Sequence, residues 1–394
     1  MHPLDGRRIW FVGIGGAGLS AYAQLARAWG AEVGGWDRIV TPYLSQLADI
    51  AIEISPEPSA PAAGWEIVVS TAYVDRVEGA PRAELLAELV SLRRSIVVAG
   101  AHGKTTTAGM IAFCLERLGL DPAFLVGGEL PQLGGNAGTG EGWLVVEGDE
   151  SDRSVASLRP EVAVLLNVDL DHHTTFGSRA EVAALFDAWL AEVPHVVRAE
   201  SLEPVALELR VPGEHNRRNA AAALAALELA GVRRTDAERV LVEFEGAGRR
   251  LEPKGKAGGV AVLDSYAHHP AEIAADLAAV REGGSAGLLV VFQPHLYSRT
   301  LHLAHGFAVA LAAADAVVVT DVYAAREQPL DGVTGRLVVD ELARIRPGMR
   351  IGWAPAVEDA APIVASWARP GDVVLILGAG DVGRAVPLVL AAVA

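Results

Sequence analysis

The chain has 394 residues, of which 51% are hydrophobic and 21% are charged. This length exceeds one typical core and predicts two or three globular domains. The 33 basic and 49 acidic residues give a net charge of −16, which argues against a general nucleic-acid or anionic-membrane surface. The single cysteine, Cys114, excludes an internal disulfide and is expected in a core. No uncharged apolar run reaches the ~18 residues of a membrane span, and no signal core is recognisable, so we expect a cytoplasmic protein.

A glycine-rich turn follows the first predicted strand, residues 7–12. It matches Gly-x-Gly-x-x-Gly, a pattern that lets backbone approach a phosphate between a strand and a helix, and Asp37 ends the next strand where a ribose-binding acid would stand. The same pattern recurs at 378–383 without room for a second strand, so it predicts a phosphate turn without identifying the ligand. The residues of the first turn are Gly13, Ile14, Gly15, Gly16, Ala17 and Gly18.

The strongest local signal lies between a predicted strand at 95–99 and a predicted helix at 108–118. The segment reads Gly-x-x-Gly-Lys-Thr, a shorter form of the phosphate loop of nucleotide-binding proteins. Its backbone N–H groups would face phosphate oxygens, Lys104 would add a positive charge, and the Thr105 hydroxyl would bind Mg²⁺. The pattern predicts a nucleoside triphosphate bound by Gly100, Ala101, His102, Gly103, Lys104, Thr105 and Thr106.

Acidic and histidine-rich segments end the next predicted strands. The strand at 143–146 leads into Glu147-Gly148-Asp149-Glu150-Ser151-Asp152, and the strand at 162–166 leads into a segment that contains Asp171-His172-His173. Four carboxylates in six residues repel one another unless a cation lies between some of them. The pattern predicts a metal site, with a solvated acidic turn as the alternative.

The C-terminal third has predicted strands at 260–263, 287–292, 316–320 and 372–377 that alternate with helices. The first three end in clusters of His, Tyr and Arg, which favour a site over isolated structural histidines. Earlier in the chain, His215 and Asn219 share a face at the start of a predicted helix and could contact a base or order a loop. Pro and Gly residues from Pro253 onward predict a hinge before this third unit.

Taken in order, these segments resemble the Mur ligase family over nearly the whole chain. The first glycine turn is similar to the family's UDP-sugar loop, and the Lys104-Thr105 segment is similar to its ATP loop. The acidic block resembles the family's Glu-Ala-Asp-Glu-Ser-Asp motif, and Asp171-His172 resembles its Asp-His metal motif. Matches to the adenine side, the hinge and the amino-acid domain fall at His215-Asn216, Asn219, Arg249-Arg250, Tyr266, His268-His269-Pro270 and Gln293-Pro294-His295.

The resemblance implies an α/β fold with three domains: a Rossmann-like UDP-sugar domain over 1–92, a central P-loop ATP domain with a mostly parallel sheet over 93–252, and a Rossmann-like amino-acid and ATP domain over 253–394. It implies an ATP- and Mg²⁺-dependent ligase that joins an amino acid, with L-alanine expected, to the lactyl carboxylate of UDP-N-acetylmuramic acid through an acyl phosphate, in peptidoglycan precursor synthesis. Closure around the hinge near Arg250 would assemble the site. The expected partners are these two substrates, without nucleic acid or membrane, in a monomer or homodimer.

Residue roles follow from the same resemblance. The implied catalytic residues are Lys104, Glu150, His172, His295 and Arg299. ATP would also contact Asn219, Arg250 and Asp264. The UDP-sugar would contact Gly13, Gly15, Gly16, Ala17, Gly18, Asp37 and Ser70. The amino acid would contact Tyr266, His268, His295 and Arg299. The metal ligands would be Thr105, Glu150 and His172.

The sequence departs from the family pattern at four places. Thr174 replaces an acid after the Asp-His motif, Ser265 replaces the second of two paired acids, and Leu296 replaces an arginine. The segment between Pro194 and Val211 is shorter than the family's central domain. The alternatives are therefore a catalytically weakened UDP-sugar- and ATP-binding relative and a ligase that recycles murein peptide. A nicotinamide dehydrogenase is a third alternative, but it would leave the phosphate loop and the acidic block without a role.

Overall fold

The computed structural model describes residues 2–61, 63–325 and 327–394. By its internal contacts the chain divides into two compact units. The first runs to Val168 and also includes 180–207 and 219–244, and the second comprises 169–179, 208–218 and 245–394. Three β-sheets are present among the described residues, two in the first unit and one in the second.

The first sheet is parallel, with the order β3-β2-β1-β4-β5. Its apolar strands bury Val12, Trp36 and Val69 in one cluster. The glycine turn joins β1 to α1 at the carboxyl edge of the sheet. The elements are β1 (Arg8–Val12), α1 (Ala17–Ala28), β2 (Glu32–Asp37), β3 (Ala51–Ile54), β4 (Glu66–Val69), β5 (Ala80–Pro81) and α2 (Arg82–Leu92).

The second sheet has the order β11-β10-β6-β9-β7-β8 and is parallel except for the β7–β8 pair. All five residues of β6 are buried, as expected of a central parallel strand with both faces covered. Because β6 pairs with β9 and β10 in parallel, the segments after these three strands share one edge. The elements are β6 (Ser95–Ala99), α3 (Lys104–Arg117), β7 (Ala123–Leu130), β8 (Gly135–Thr139), β9 (Leu144–Glu147), β10 (Val162–Leu165), α4 (Arg179–Leu190), β11 (His195–Arg198), α5 (Glu214–Leu229) and α6 (Arg234–Leu241).

The third sheet has the order β12-β13-β17-β14-β15-β16, with only β12 antiparallel to its neighbour. One apolar cluster contains Phe292 and Phe307, and another contains Val318 and Ile376, as alternate strand residues point to opposite faces. The elements are β12 (Glu252–Ala257), β13 (Val260–Ser265), α7 (Pro270–Glu282), β14 (Leu288–Phe292), α8 (Tyr297–Leu311), β15 (Ala316–Thr320), α9 (Arg336–Ile345), β16 (Arg350–Ala354), α10 (Val357–Trp367), β17 (Val373–Leu377) and α11 (Ala385–Val393).

The predicted α/β class with mostly parallel sheets is confirmed. The domain boundaries at Leu92 and Glu252 stay a prediction. Helix α3 begins at Lys104, earlier than the sequence predicts, because the glycine loop leads directly into its first turn. Cys114 is buried, as expected, and burial raises the pKa of its thiol to about 12. Among the described residues, no helix is both long enough and apolar enough to cross a bilayer.

Candidate active site

The loop between β6 and α3 is shaped by two glycines. Gly103 has a φ of +86°, and a Cβ there would lie 2.6 Å from Asn219 Oδ1. Gly100 has a φ of +128°, and its Cβ would lie 3.0 Å from the backbone of Asn167. Side chains at these positions would be strained and crowded. Glycine therefore leaves the loop backbone uncovered by side chains. This is the geometry that a phosphate cradle requires.

Asn167, which follows the neighbouring strand β10, holds this loop in place through hydrogen bonds. Its Oδ1 accepts a hydrogen bond from the His102 backbone N–H at 2.9 Å, and its Nδ2 donates to the His102 carbonyl at 2.9 Å. Asn167 was not among the residues that the sequence assigned to the site. One feature of the sequence could have indicated its role. Asn167 comes directly after a predicted strand, and in a parallel sheet the end of that strand lies beside the loop.

Lys104 and Glu150 form an ion pair at this sheet edge. Lys104 Nζ lies 3.0 Å from Glu150 Oε2 and donates to the Gly100 carbonyl. Burial alone would lower the pKa of Lys104, but Glu150, with Asp149 and Glu147, raises it above its usual value. The ammonium group therefore stays charged, as a phosphate-binding lysine must.

The residues around the pair suit a triphosphate and a hard divalent cation. Thr105 and Thr106 are buried in the first turn of α3, whose N–H groups and dipole favour an anion. The Thr105 hydroxyl and the Glu150 carboxylate are oxygen donors of the kind that Mg²⁺ prefers. Burial would raise the pKa of Asp149, but hydrogen bonds from Ser151, with Lys104 and Arg82, lower it, so this carboxylate stays anionic.

Asp37 holds the first glycine turn through hydrogen bonds, and Ser70 lies against it. The Gly15 N–H donates to Asp37 Oδ2 at 2.8 Å, and the Arg38 N–H donates to Asp37 Oδ1 at 2.7 Å. Gly13 has a φ of +88°, and a Cβ there would lie 2.7 Å from Ser70 Oγ. Asp37 thus fixes the loop through its backbone contacts, and its predicted contact with a ligand stays a prediction.

Arg82 connects this turn to the acidic block within the first unit. Its Nη2 donates to Asp149 Oδ2 at 3.2 Å, and its Nη1 lies 3.2 Å from where a Cβ on Gly18 would be. Sequence reasoning missed Arg82, because an arginine at the start of a predicted helix carries no signal of its partners. The guanidinium is well placed for an anionic group bound at the turn.

In the second unit, Asp171 and Arg299 form a buried ion pair. Arg299 Nε donates to Asp171 Oδ1 at 2.7 Å, and the two side chains are 4% and 6% exposed. Burial would raise the pKa of Asp171, but Arg299, with His268 and His172, holds it well below its usual range. Arg299 Nη1 also donates to His295 Nδ1 at 3.1 Å. His172 lies beside the pair, with Nε2 3.7 Å from Asp171 Oδ2.

Aromatic rings form a continuous row next to this pair. Tyr266 contacts His268, His268 contacts His295, and His295 stacks on Tyr323 with ring centroids 5.7 Å apart. Burial lowers the pKa of His268, and it lowers that of His295 to about 3. Both imidazoles are therefore neutral near pH 7. The predicted residues Tyr266, His268, His295 and Arg299 do cluster, and Tyr323, from the predicted cluster after the strand at 316–320, joins them although it was given no role.

Leu296, at the start of α8, has a φ of +69°. Such a conformation is costly for a bulky residue and persists only where surrounding contacts impose it. Here the Leu296 N–H donates to the Tyr323 carbonyl at 2.9 Å, and its own carbonyl accepts from Thr300 Oγ1 at 2.8 Å. The strained residue thus lies directly beside the aromatic row.

Arg249, Arg250 and Asp264 meet near the predicted hinge. Arg249 Nε donates to Asp264 Oδ2 at 3.1 Å, and both guanidinium groups lie 5.2 Å from the Tyr266 ring. Asp264 Oδ1 is buried and has no hydrogen-bond partner among the described residues. Burial raises the pKa of Asp264 even though Arg249 opposes the shift. An unsatisfied buried acceptor of this kind suits a hydroxyl donor from a ligand.

Comparisons with known proteins match this arrangement along the chain. The Mur ligase family, catalytic domain, matches residues 8–94. The Mur ligase middle domain matches residues 98–195, and the Mur ligase, glutamate ligase domain matches residues 249–380. The UDP-N-acetylmuramate–L-alanine ligase of Streptomyces avermitilis is 38% identical over 447 aligned positions, which cover 96% of each chain. The chain belongs to the Mur ligase family.

Solved structures show the same fold. The UDP-N-acetylmuramate–alanine ligase of Thermotoga maritima is 25% identical and has a TM-score of 0.77, with 98% of each chain covered. A murein peptide ligase of Psychrobacter arcticus is 24% identical with a TM-score of 0.65, covering 98% of this chain and 99% of that one. As a Mur ligase, the chain is an ATP-dependent enzyme that forms amide bonds.

The alignment with the Streptomyces enzyme is longer than this chain, since its 447 positions exceed the 394 residues here. Some residues of that relative therefore have no counterpart in this sequence. Even so, the sheet that carries the phosphate loop contains six strands, and β11 at its edge pairs with β10 over four residues.

Proposed function

We propose that this Mur ligase joins L-alanine to the lactyl carboxylate of UDP-N-acetylmuramic acid and converts ATP to ADP and phosphate. The observation that carries the proposal is the Lys104–Glu150 pair on a bare glycine loop at the ends of β6 and β9. The full-length identity to ligases named for this reaction supports the choice of substrates.

The first unit supplies the groups assigned to phosphoryl transfer. Gly100, Gly103 and Lys104 would hold the phosphates, and Asn219 would contact ATP beside them. Thr105 and Glu150 would hold one Mg²⁺, which when bound would neutralise charge on the phosphates, and His172, which belongs to the second unit, would hold another. Phosphoryl transfer asks a protein mainly for positioning and charge stabilisation, and a half-buried lysine whose pKa is raised provides both.

The UDP-sugar is assigned to the first glycine turn. Gly13, Gly15, Gly16, Ala17 and Gly18 would face its phosphates from the start of α1, with Asp37 holding the turn and Ser70 lying against it. We add Arg82 to this set, because its guanidinium lies beside Gly18 and balances Asp149.

The second unit supplies the groups assigned to the amino acid. Tyr266, His268, His295 and Arg299 form one contiguous cluster, and Asp171 provides a carboxylate within it. Because His268 and His295 are neutral, they can donate or accept a hydrogen bond without adding charge. Arg250 and Asp264 are assigned to ATP, and the unpartnered Asp264 Oδ1 can accept a hydroxyl hydrogen bond.

The test is phosphate release with UDP-N-acetylmuramic acid, ATP, Mg²⁺ and a panel of amino acids. We expect release with L-alanine above glycine and L-serine, and none when Mg²⁺ is chelated. Release only with a murein tripeptide would favour the recycling ligase instead. No release with any acceptor, while ATP and UDP-sugar bind, would favour a non-catalytic relative. We also propose that the enzyme is cytoplasmic and acts as a monomer or homodimer.

A further inference from the structure

A buried carboxyl group on helix α7 has no role in the site described above. Asp276 is 8% exposed, and its Oδ2 accepts a hydrogen bond from Ser265 Oγ at 2.5 Å. Ser265 Oγ in turn accepts from the Ala267 backbone N–H at 3.3 Å. Asp276 is therefore tied to the end of β13, directly after Asp264.

The other carboxylate oxygen of Asp276 faces the start of helix α5. His215 Nε2 lies 4.0 Å from Asp276 Oδ1. Gly213 has a φ of +99°, and a Cβ there would lie 2.7 Å from His215 Cε1. Any side chain at position 213 would displace the imidazole. Glycine at this position therefore allows His215 to lie against α7.

The environment of Asp276 is costly for a carboxylate. Burial raises its pKa to about 7, while Ser265 and Arg250 oppose the shift and Glu272 adds to it. A buried carboxylate costs free energy unless it is compensated, and groups with strongly shifted pKa values concentrate at functional sites. Ser265 stands where the family pattern has the second of two acids, and its hydroxyl donates to a carboxyl group from α7.

We infer that Asp276 is a positioning residue for ATP, which holds the β13 end that carries Asp264 and the α5 start that carries His215. It acts through these neighbours, since its own oxygens are engaged with Ser265 and face His215. The inference rests on the proposed function to the extent that ATP is assigned to Asp264. Asp276 lies outside the sequence motifs, and this role would explain why a serine stands at position 265.

The experiment compares three variants. They are Asp276→Ala, Ser265→Ala and a double variant that exchanges the two residues by carrying both Ser265→Asp and Asp276→Ser. Asp359→Asn on α10 is the matched control, because it removes an exposed helical carboxylate from the same unit. Steady-state kinetics give KM for ATP, KM for L-alanine and kcat. Calorimetry with a non-hydrolysable ATP analogue gives a Kd that does not depend on turnover.

We expect Asp276→Ala to raise KM and Kd for the nucleotide about tenfold, as for one lost hydrogen bond to a charged group. KM for L-alanine and kcat should change less than about threefold by the same reasoning. Ser265→Ala should act in the same direction, and the reciprocal exchange should restore most of the affinity, because it rebuilds the pair in reverse. The control should match the wild type.

Unchanged nucleotide KM and Kd in both single variants would overturn the inference and leave the proposed function standing. A loss of kcat alone, or equal changes for every substrate, would also overturn it, since a merely structural role predicts that result. If Asp276→Ala does not fold, Ser265→Ala and the exchange decide. If the wild type releases no phosphate but Asp276→Ala still weakens analogue binding, the proposed function fails and the inference holds.

Discussion

Replacing Lys104 with methionine separates the catalytic role of the phosphate loop from its contribution to folding. Lys104 Nζ lies 3.0 Å from Glu150 Oε2, and the Glu150 side chain is 4% exposed. Loss of the ammonium should lower the rate of phosphate release ~10³-fold, the usual effect of removing one group that stabilises transition-state charge. It also leaves Glu150 without this partner, which should cost about 3 kcal/mol, the lower end for a broken buried pair, because Lys104 is 20% exposed.

A second substitution distinguishes the two effects. Glu150→Gln added to Lys104→Met removes the negative charge that has lost this lysine, so the double variant should regain most of the lost free energy of unfolding. Phosphate release should stay at the level of Lys104→Met. Urea unfolding and a continuous phosphate assay measure the two quantities on the same samples, with Glu150→Gln alone as the control. Activity of Lys104→Met within tenfold of the wild type would refute the assignment of the loop, and a double variant as unstable as the single one would refute the pairing argument.

Three further predictions address the loop, a titrating acid and the second unit. Gly103→Ala should raise KM for ATP and lower Tm, because its Cβ would meet an asparagine oxygen at 2.6 Å; Gly348→Ala, at a similar φ of +87° with no described atom within 4 Å, should lower Tm alone. The pKa of Asp276 is raised from 3.8 to about 7, so the folded state keeps a proton that the unfolded chain has released. The free energy of unfolding should therefore fall as pH rises from about 4 to about 7 and then level off, and Asp276→Asn should flatten that slope in urea titrations. Arg299→Met should destabilise the protein by ~3–5 kcal/mol, since it leaves Asp171 buried without its partner, and an equally stable variant in urea would contradict the pairing.

The sequence predicted that three strand ends share one edge of a sheet, because apolar strands and the segments after them carry separate signals. The runs before Gly100, Glu147 and Asn167 read as strands, and parallel pairing then places their ends at one edge. The helix after the loop was predicted to start too late, since Thr105 to Thr107 are not typical of a helix interior. Local patterns thus predicted which segments follow the strands better than the exact helix bounds.

The residues that sequence reasoning missed are defined by distant partners. Arg82 pairs with Asp149, 67 positions further along the chain, and Asn167 holds a loop 65 positions earlier. Tyr323 lay in a predicted cluster but was given no role, and it joins the aromatic row because β14 and β15 are neighbours. In the sequence, Asp276 is an ordinary polar residue on an alanine-rich helix. Only the structure shows its hydrogen bond with Ser265. None of these contacts leaves a spacing that can be recognised within one segment.

The most direct measurement is mass spectrometry of the reaction with UDP-N-acetylmuramic acid, ATP, Mg²⁺ and L-alanine, with phosphate quantified in the same sample. The proposed function predicts a UDP-sugar product heavier by one alanine residue, formed in a one-to-one ratio with phosphate and absent in Lys104→Met. Phosphate released without that product, or no product although both nucleotides bind, would contradict it.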